Sequence, residues 1–421
     1  MSSGRRPWSA RSAYDLKRRH TAAPHPCRPR GKALTVFQLD KSQQDFQEAT
    51  RSWVEKHFPK SLANELERRE HEYPFQLWDA LADAGFHGVG IAEEHGGQGG
   101  DTIDACILAR ELARNLGGLT WTWAISSFAG ARAIAHGGTE DQKQQYLPQL
   151  AKGKCRFSIA VTEPGGGTDL IGGMHTRATP TSGGYKLTGQ KMWSTGAKQA
   201  DYLLLLALDG ERDTKGRPRT TLFLLPTSSP GIEMRYIPKL GMRAIGSCEI
   251  FLDDVFVPTE QVLGEVGSGF RVLTAALNNE RILSGAMALG MLDGVLDEVL
   301  EHARNRKAFG RPIGSFQIIQ HYIADMLMWQ KQSELMVLDA AWREAADMPC
   351  HAEANMAKVV TSEYAVKAAD QGIQILGGVG IAAETNSQRF WRDVRQFRIA
   401  PISNEMARNV MAESVGLPRS F

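Results

Sequence analysis

The hydrophobic period of the chain changes from about 3.6 residues to 2 and back again, and this order limits the fold more than any other feature. From Asp40 onward Phe46, Trp53 and Val54 recur near helical spacing, with Ser42 as the expected N-cap. Helices are predicted over 75–84, 103–115 and 142–150, each bounded by Gly or Pro, with 93–97 as a loop between them. Between Cys155 and Gly264 the pattern shortens, and 185–187, 202–207, 221–225 and 249–257 read as strands separated by Gly, Pro and Ser-Ser-Pro turns. Long helical runs return over 270–304, 316–346 and 352–376. The class is therefore α+β in the order α, β, α. The expected domains are an N-terminal helical one over 34–154, a middle β domain over 155–265 and a C-terminal helical one over 266–421.

Residues 1–33 carry nine Lys/Arg against one acid, Asp15. The formal net charge of +2 thus hides a body of about −6, which offers no broad basic field for nucleic acid. The leader contains Pro24, Pro26 and Pro29 and no apolar run of secretory or membrane length, so it is read as a disordered basic extension. A transit-like presequence and a nucleic-acid arm are the alternatives. No stretch reaches the roughly 18 consecutive apolar residues of a membrane span, which predicts a soluble protein with no membrane partner. Five cysteines without a C-x-x-C pair argue for a reduced compartment and against a zinc site. The expected location is the cytoplasm, with a mitochondrial matrix as the alternative.

Two segments stand out. The run 159–169, Ile-Ala-Val-Thr-Glu-Pro-Gly-Gly-Gly-Thr-Asp, is a strand end followed by three glycines, which leaves open backbone N–H groups and the hydroxyls of Thr162 and Thr168 for an anion or a polar ring edge. The second, Lys-Met-Trp-Ser-Thr-Gly-Ala over 191–197, offers Trp193 as a face for a planar ring. Read plainly, one is a Gly-rich turn and the other a strand end with a core Trp. No G-x-G-x-x-G opens a strand-to-helix unit, which weakens a nicotinamide reading.

Together these two segments resemble those of the acyl-CoA dehydrogenase family of flavoproteins, and the resemblance runs from about Leu34 to the C-terminus. It continues in 238–243 (Pro-Lys-Leu-Gly-Met-Arg), 253–258, 304–313 (Arg-Asn-Arg-Lys-Ala-Phe-Gly-Arg-Pro-Ile) and 374–380 (Gln-Ile-Leu-Gly-Gly-Val-Gly). It implies a middle β-barrel or sandwich, a C-terminal helical bundle and FAD as cofactor. The implied FAD contacts are Ile159, Thr162, Thr168, Trp193, Thr195, Ser403 and Glu405. Arg306, Phe309, Gln317, Gln374, Gly377 and Gly378 would reach the FAD of a neighbouring subunit, so the chain is expected to form a homodimer or homotetramer. Guanidinium and open glycines suit phosphate, although Arg306 on a helix surface and Gly377-Gly378 as a helix C-cap are the plainer readings.

Desaturating an acyl thioester needs a base for the α-proton, a hydride acceptor for the β-hydrogen and donors on the thioester oxygen. Where the commonest family pattern has its base, after Arg392-Asp393, this chain has Pro401. Some relatives, including isovaleryl-CoA dehydrogenases, carry the base in an earlier Glu-Arg pair, which here is Glu280-Arg281. Independently, Phe270, Leu273, Leu277, Glu280, Ser284, Met287 and Met291 step by 3 and 4, placing Glu280 in an apolar seam where its pKa would rise. A seam Glu neutralised by a structural arginine is the alternative. The resemblance adds Thr168, Asn278 and Arg281 as substrate contacts. Pro401 also lacks the N–H that relatives offer to the thioester oxygen, so Ile402 or Ser403 is expected to donate instead. Trp121 and Trp123 either narrow an acyl pocket toward short or branched groups or simply pack.

The expected activity is FAD-dependent α,β-dehydrogenation of an acyl-CoA, with electrons passed to an electron-transfer flavoprotein. Residues 374–395 also resemble the crotonobetainyl-CoA reductase branch, which leaves the reductive direction open. An oxygen-using monooxygenase or oxidase on the same fold, and a non-catalytic FAD-binding homologue, are the other readings.

Overall fold

The structure, a computed structural model, describes residues 38–69, 71, 73–275 and 277–419. The basic extension expected over 1–33 lies outside the described residues. Helix α1 (Lys41–His57) starts at Asp40, not Ser42. Asp40 Oδ1 accepts from Gln43 N at 2.9 Å, and Gln43 Oε1 accepts from Asp40 N at 3.0 Å. A carboxylate satisfying one orphan donor while its own N–H is satisfied in return outcompetes a lone hydroxyl, and Ser42 Oγ only donates to Asp40 at 2.8 Å.

Helices α2 (Lys60–Arg68) and α3 (Phe75–Asp83) follow, then α4 (Thr102–Trp123). The helix expected to stop near 115 instead kinks at Leu116 (φ −124°, ψ 33°) and runs on. It passes into a π-helical stretch, Ala124–Gly130, before α5 (Ala131–Gly137) and α6 (Glu140–Ala151). Gly118 is required at the kink because a Cβ there would sit 2.9 Å from Met242. The carbonyl freed beside the kink, Asn115 O, accepts from buried Arg389 Nη2 at 3.0 Å.

The middle sheet contains β1 (Phe157–Ala160), β2 (Arg177–Thr181), β3 (Gly184–Thr195), β4 (Tyr202–Arg212), β5 (Pro218–Pro226), β6 (Ile232–Tyr236), β7 (Ser247–Pro258) and β8 (Val262–Leu263). Their order is β6-β7-β3-β2-β4-β5-β8, with β1 parallel on β4 through Phe157↔Tyr202 and Ile159↔Leu204. The four strands read from apolar runs are β3, β4, β5 and β7. Strand β2 escaped that reading because its Arg-Ala-Thr-Pro-Thr sequence buries only Ala178.

The C-terminal part comprises α7 (Gly269–Ala275), α8 (Leu277–Asn305), α9 (Gln317–Ala345), α10 (His351–Leu376), α11 (Asn386–Val394) and α12 (Asn404–Ser414). Leu273, Ser284, Met287 and Met291 are buried as the spacing predicts, but Phe270 is 36 % exposed and stands outside the seam, because the first turn of α7 lies at the edge of the sheet. Asp393 on α11 accepts from Met242 N at 2.5 Å, and Glu67 accepts from Ala244 N at 2.9 Å, so the 238–244 loop is fastened to both helical parts. Burial, reinforced by Glu67, pushes the Asp393 carboxyl up to about 7. Gly241 permits this approach, since a Cβ there would lie 2.5 Å from Arg392 O. No helix among the described residues is long and apolar enough to cross a membrane.

Candidate active site

Met192 N donates to Thr162 O at 2.9 Å, which brings the two singled-out segments side by side. Beneath them the fully buried Lys191 ammonium lies 2.7 Å from Glu163 and 3.2 Å from Val161 O. Glu163 also accepts from His175 N at 2.6 Å and Thr176 N at 3.1 Å. Burial would raise its pKa, but these donors outweigh burial and hold the carboxyl below its ordinary value. Burial brings Lys191 down to about 8 against the pull of Glu163.

On this base Trp193 is 51 % exposed and adopts φ 63°, a left-handed conformation costly for a bulky residue. The hydroxyls of Thr162 and Thr168 have no hydrogen-bond partner among the described residues, and a Cβ on Gly167 would meet nothing within 4 Å. An exposed, strained indole one residue from the bond to Thr162, on whose segment stand unengaged hydroxyls and open backbone, fits a planar ring with a polar edge and an anionic tail, as FAD has. Ile159 lies half-buried in β1. The Thr195 hydroxyl is 3.3 Å from Ser247 Oγ, to which Lys239 Nζ also donates at 3.2 Å.

Glu280 opens on a cleft whose walls include Trp121, Ile125, Phe128, Leu283 and Met287. Among the described residues its carboxylate is the one ionisable group of the lining. Burial pushes it up to about 7, against the opposing pull of Arg281. Among the described residues no hydrogen bond or ion pair engages it. Such a carboxylate is suited to take a proton from a group held in an apolar pocket near neutral pH. Trp121 is part of the wall and packs edge-on against Phe397, with ring centroids 5.4 Å apart. Trp123 is core, donating through Nε1 to Phe86 O at 3.1 Å.

Arg281 is only 6 % exposed and makes no ion pair among the described residues. Its Nη1 lies 3.4 Å from His351 Nδ1, which in turn is 2.9 Å from Asn278 Oδ1. Pro401 and Ile402 precede Ser403, the N-cap of α12, whose hydroxyl accepts from Met406 N at 3.2 Å. Lys358, not singled out from the sequence, donates to Ile402 O at 2.5 Å and Asn404 Oδ1 at 2.6 Å.

The remaining predicted residues are exposed. Arg306 and Phe309 belong to the hairpin formed by Lys307–Ala308 and Arg311–Pro312, Gln317 opens α9, Gln374 lies in the last turn of α10 with Gly377 and Gly378 just beyond, and Glu405 is in the first turn of α12. Phe309 is 95 % exposed, and a Cβ on Gly377 or Gly378 would meet nothing within 4 Å. Among the described residues none of these shares a hydrogen bond with the Thr162–Trp193 cradle. The apolar walls contributed by the π-helical stretch, Ile125 and Phe128, were not singled out either. A 3.6-residue pattern assigns the wrong face to a segment with a wider turn.

Models of the acyl-CoA dehydrogenase N-terminal, middle and C-terminal domains match residues 40–154, 158–255 and 267–416. The probable acyl-CoA dehydrogenase YngJ of Bacillus subtilis is 35 % identical over 90 % of this chain and 99 % of its own. The structure of butyryl-CoA dehydrogenase from Megasphaera elsdenii superposes with a TM-score of 0.85 at 31 % identity, covering 90 % of this chain and 100 % of that one. A complex of PigA with FAD gives a TM-score of 0.85 at 27 % identity, covering 91 % and 100 %.

Proposed function

The chain belongs to the acyl-CoA dehydrogenase family, and on that premise we propose that it removes the α- and β-hydrogens of a short or branched acyl-CoA with Glu280 as the base. It is an FAD enzyme, and FAD supplies the acceptor for the β-hydride. The Thr162–Trp193 cradle would hold it, with Lys191 and Glu163 fixing the cradle from below. The observation that carries the reading is Glu280 itself, a carboxyl raised to about 7 in a cavity otherwise walled by apolar side chains. A group poised there exchanges a proton with an acidified carbon acid near neutral pH. Trp121 and Phe128 shorten the cavity, which favours a compact acyl group.

Asn278 and Arg281 would contact the thioester's CoA side, and the hydroxyl of Thr168 its rim. Arg306, Phe309, Gln317, Gln374, Gly377 and Gly378 would meet a second copy of the chain and its flavin, which gives the exposed Phe309 ring a place to be buried. Electrons would leave to an electron-transfer flavoprotein. The test is anaerobic titration of the yellow protein with acyl-CoAs of increasing length and branching, for wild type and Glu280→Gln. Bleaching of the wild type by a compact thioester, lost in the variant, is the expected result. Bleaching that persists in Glu280→Gln would remove Glu280 from the role, and no bleaching with any thioester would overturn the activity.

A further inference from the structure

Lys358 is 1 % exposed, two turns into α10, and among the described residues no carboxylate touches it. Its ammonium is bound to two neutral oxygens, Ile402 O at 2.5 Å and Asn404 Oδ1 at 2.6 Å. Burial lowers its pKa to about 7, with Glu405 and Glu363 opposing that fall and Arg281 and Arg398 adding to it. An ammonium held so far from its preferred state is a poor choice for packing two helices together, where an apolar side chain would serve at lower cost. What its two bonds fix is the main chain between Pro401 and the start of α12.

In a trans peptide the C=O and N–H point to opposite sides. The Ile402–Ser403 peptide is trans, so drawing Ile402 O inward onto Lys358 turns the Ser403 N–H outward. That N–H finds no acceptor among the described residues, because Ser403 is an N-cap at φ −65°, ψ 150° and its N–H stands before the helical ladder. The same cation polarises the peptide, which strengthens the N–H as a donor. Two contacts tie this region to the elements around the cavity: Phe397, four residues before Pro401, packs edge-on against Trp121 of the wall, and a Cβ on Gly285, one turn beyond Glu280 on α8, would lie 3.4 Å from Ala357 O, next to Lys358 on α10.

We propose that Lys358 is a positioning residue of the dehydrogenation: by holding Ile402 O it presents the Ser403 N–H to the thioester oxygen, in place of the donor that Pro401 cannot supply. The inference rests on the acyl-CoA dehydrogenase reading with Glu280 as base. In that step the α-proton passes to the Glu280 carboxylate, the C–H electron pair becomes the new C=C bond, and the carbonyl pair moves onto the oxygen. The negative charge therefore leaves Glu280 and arrives at the oxygen facing Ser403 N–H.

The decisive comparison is Ser403→Pro against Ser403→Ala in the FAD-loaded protein. Both lose the capping hydroxyl, the native φ of −65° suits proline, and only proline lacks the N–H. Two probes separate the roles: a 3-thia-acyl-CoA, which can be deprotonated to an enolate and gives a long-wavelength band but cannot be desaturated, and an S-alkyl-CoA thioether of equal length, which has no carbonyl. Ser403→Pro should bind the 3-thia-acyl-CoA about 100- to 1000-fold more weakly than Ser403→Ala, with the thioether unaffected, in line with the cost of one oxyanion donor. Lys358→Met should move the same way and Lys358→Arg should recover part of the loss. This second pair decides the matter if Ser403→Pro does not retain its flavin. Equal enolate affinity in Ser403→Pro and Ser403→Ala, with a normal wild-type band, would overturn the inference while leaving the activity intact. A wild type that binds the thioether but forms no enolate with any 3-thia-acyl-CoA would overturn the activity, and the inference with it.

Discussion

The Lys191 ammonium lies 2.7 Å from the Glu163 carboxylate, with both side chains almost wholly removed from water, and this pair joins the two chain segments that we propose as the flavin cradle. One partner follows Thr162 and the other precedes Met192, whose N–H bonds Thr162 O at 2.9 Å. The pair thus sets the distance between the strand end with its glycines and the strand that carries Trp193.

Breaking this pair leaves an uncompensated buried charge. Lys191→Met should destabilise the protein by about 3–5 kcal/mol. Lys191→Met with Glu163→Gln should recover part of that loss, because the amide oxygen still accepts from His175 N or Thr176 N. The Glu163 contribution also fixes a sign with pH. Its folded carboxyl lies below the ordinary 4.5, so the stabilisation is complete above 4.5 and is lost as pH falls through the folded value. Urea unfolding of the three proteins between pH 7 and pH 4 checks both points, and equal loss in the single and double variants would exclude the charge as the cause.

Glu280 acts in the opposite sense. Its carboxyl is raised from 4.5 to about 7, so between those values the folded state binds more protons than the unfolded one and stability declines as pH rises. Glu280→Gln should therefore melt higher than wild type at pH 8 and nearly level with it at pH 4, while its rate of flavin reduction falls by about 100- to 10,000-fold or more. In the wild type, kcat/KM should rise with pH through about 7 as the base is uncovered. A variant less stable than wild type at pH 8 would mean that Glu280 is a structural partner.

The Trp121 ring closes the cavity and is itself backed by Phe397. Trp121→Leu keeps an apolar wall but shortens it, so the acyl-length optimum should move up by about two to four carbons, at roughly 1–3 kcal/mol of discrimination for the first added methylenes. The check is kcat/KM across a C4 to C12 series. An unchanged optimum with a lower melting temperature would assign Trp121 to packing.

Much of this arrangement is legible in the sequence because it follows from period. Tyr202 to Ala207 has to be a strand buried on both faces, and Glu280 has to share a face with Ser284 and Met287 once the helix is granted. The features that escape such reading depend on contacts distant in sequence. Lys358 meets Ile402 across 44 residues, and nothing local to either distinguishes a clamp from a solvated lysine. The N-cap falls at Asp40, two residues before Ser42, because Asp and Ser compete there and the winner is decided by which one Gln43 can answer. The π-helical turn that lines the cavity has no period of its own to announce it.

Trp193 joins the local and the distant. Its φ of 63° places a bulky side chain in the left-handed region, and half of the ring stays exposed, so neither backbone preference nor burial explains it. Glycine adopts that conformation freely. Trp193→Gly should therefore leave the melting temperature of the flavin-free protein unchanged or raised, despite the loss of a large side chain. The same substitution should weaken FAD binding by about 5- to 10-fold, the amount expected from one lost aromatic stacking contact. Trp193→Phe, which keeps both a ring and the strain, should retain most of the affinity and none of the gain in apoprotein stability. Thermal melts of the apoproteins and fluorescence titration with FAD measure the two effects separately. If Trp193→Gly lowers apoprotein stability and leaves FAD affinity untouched, the indole belongs to the fold and the cradle must hold its ring by the hydroxyls and backbone alone.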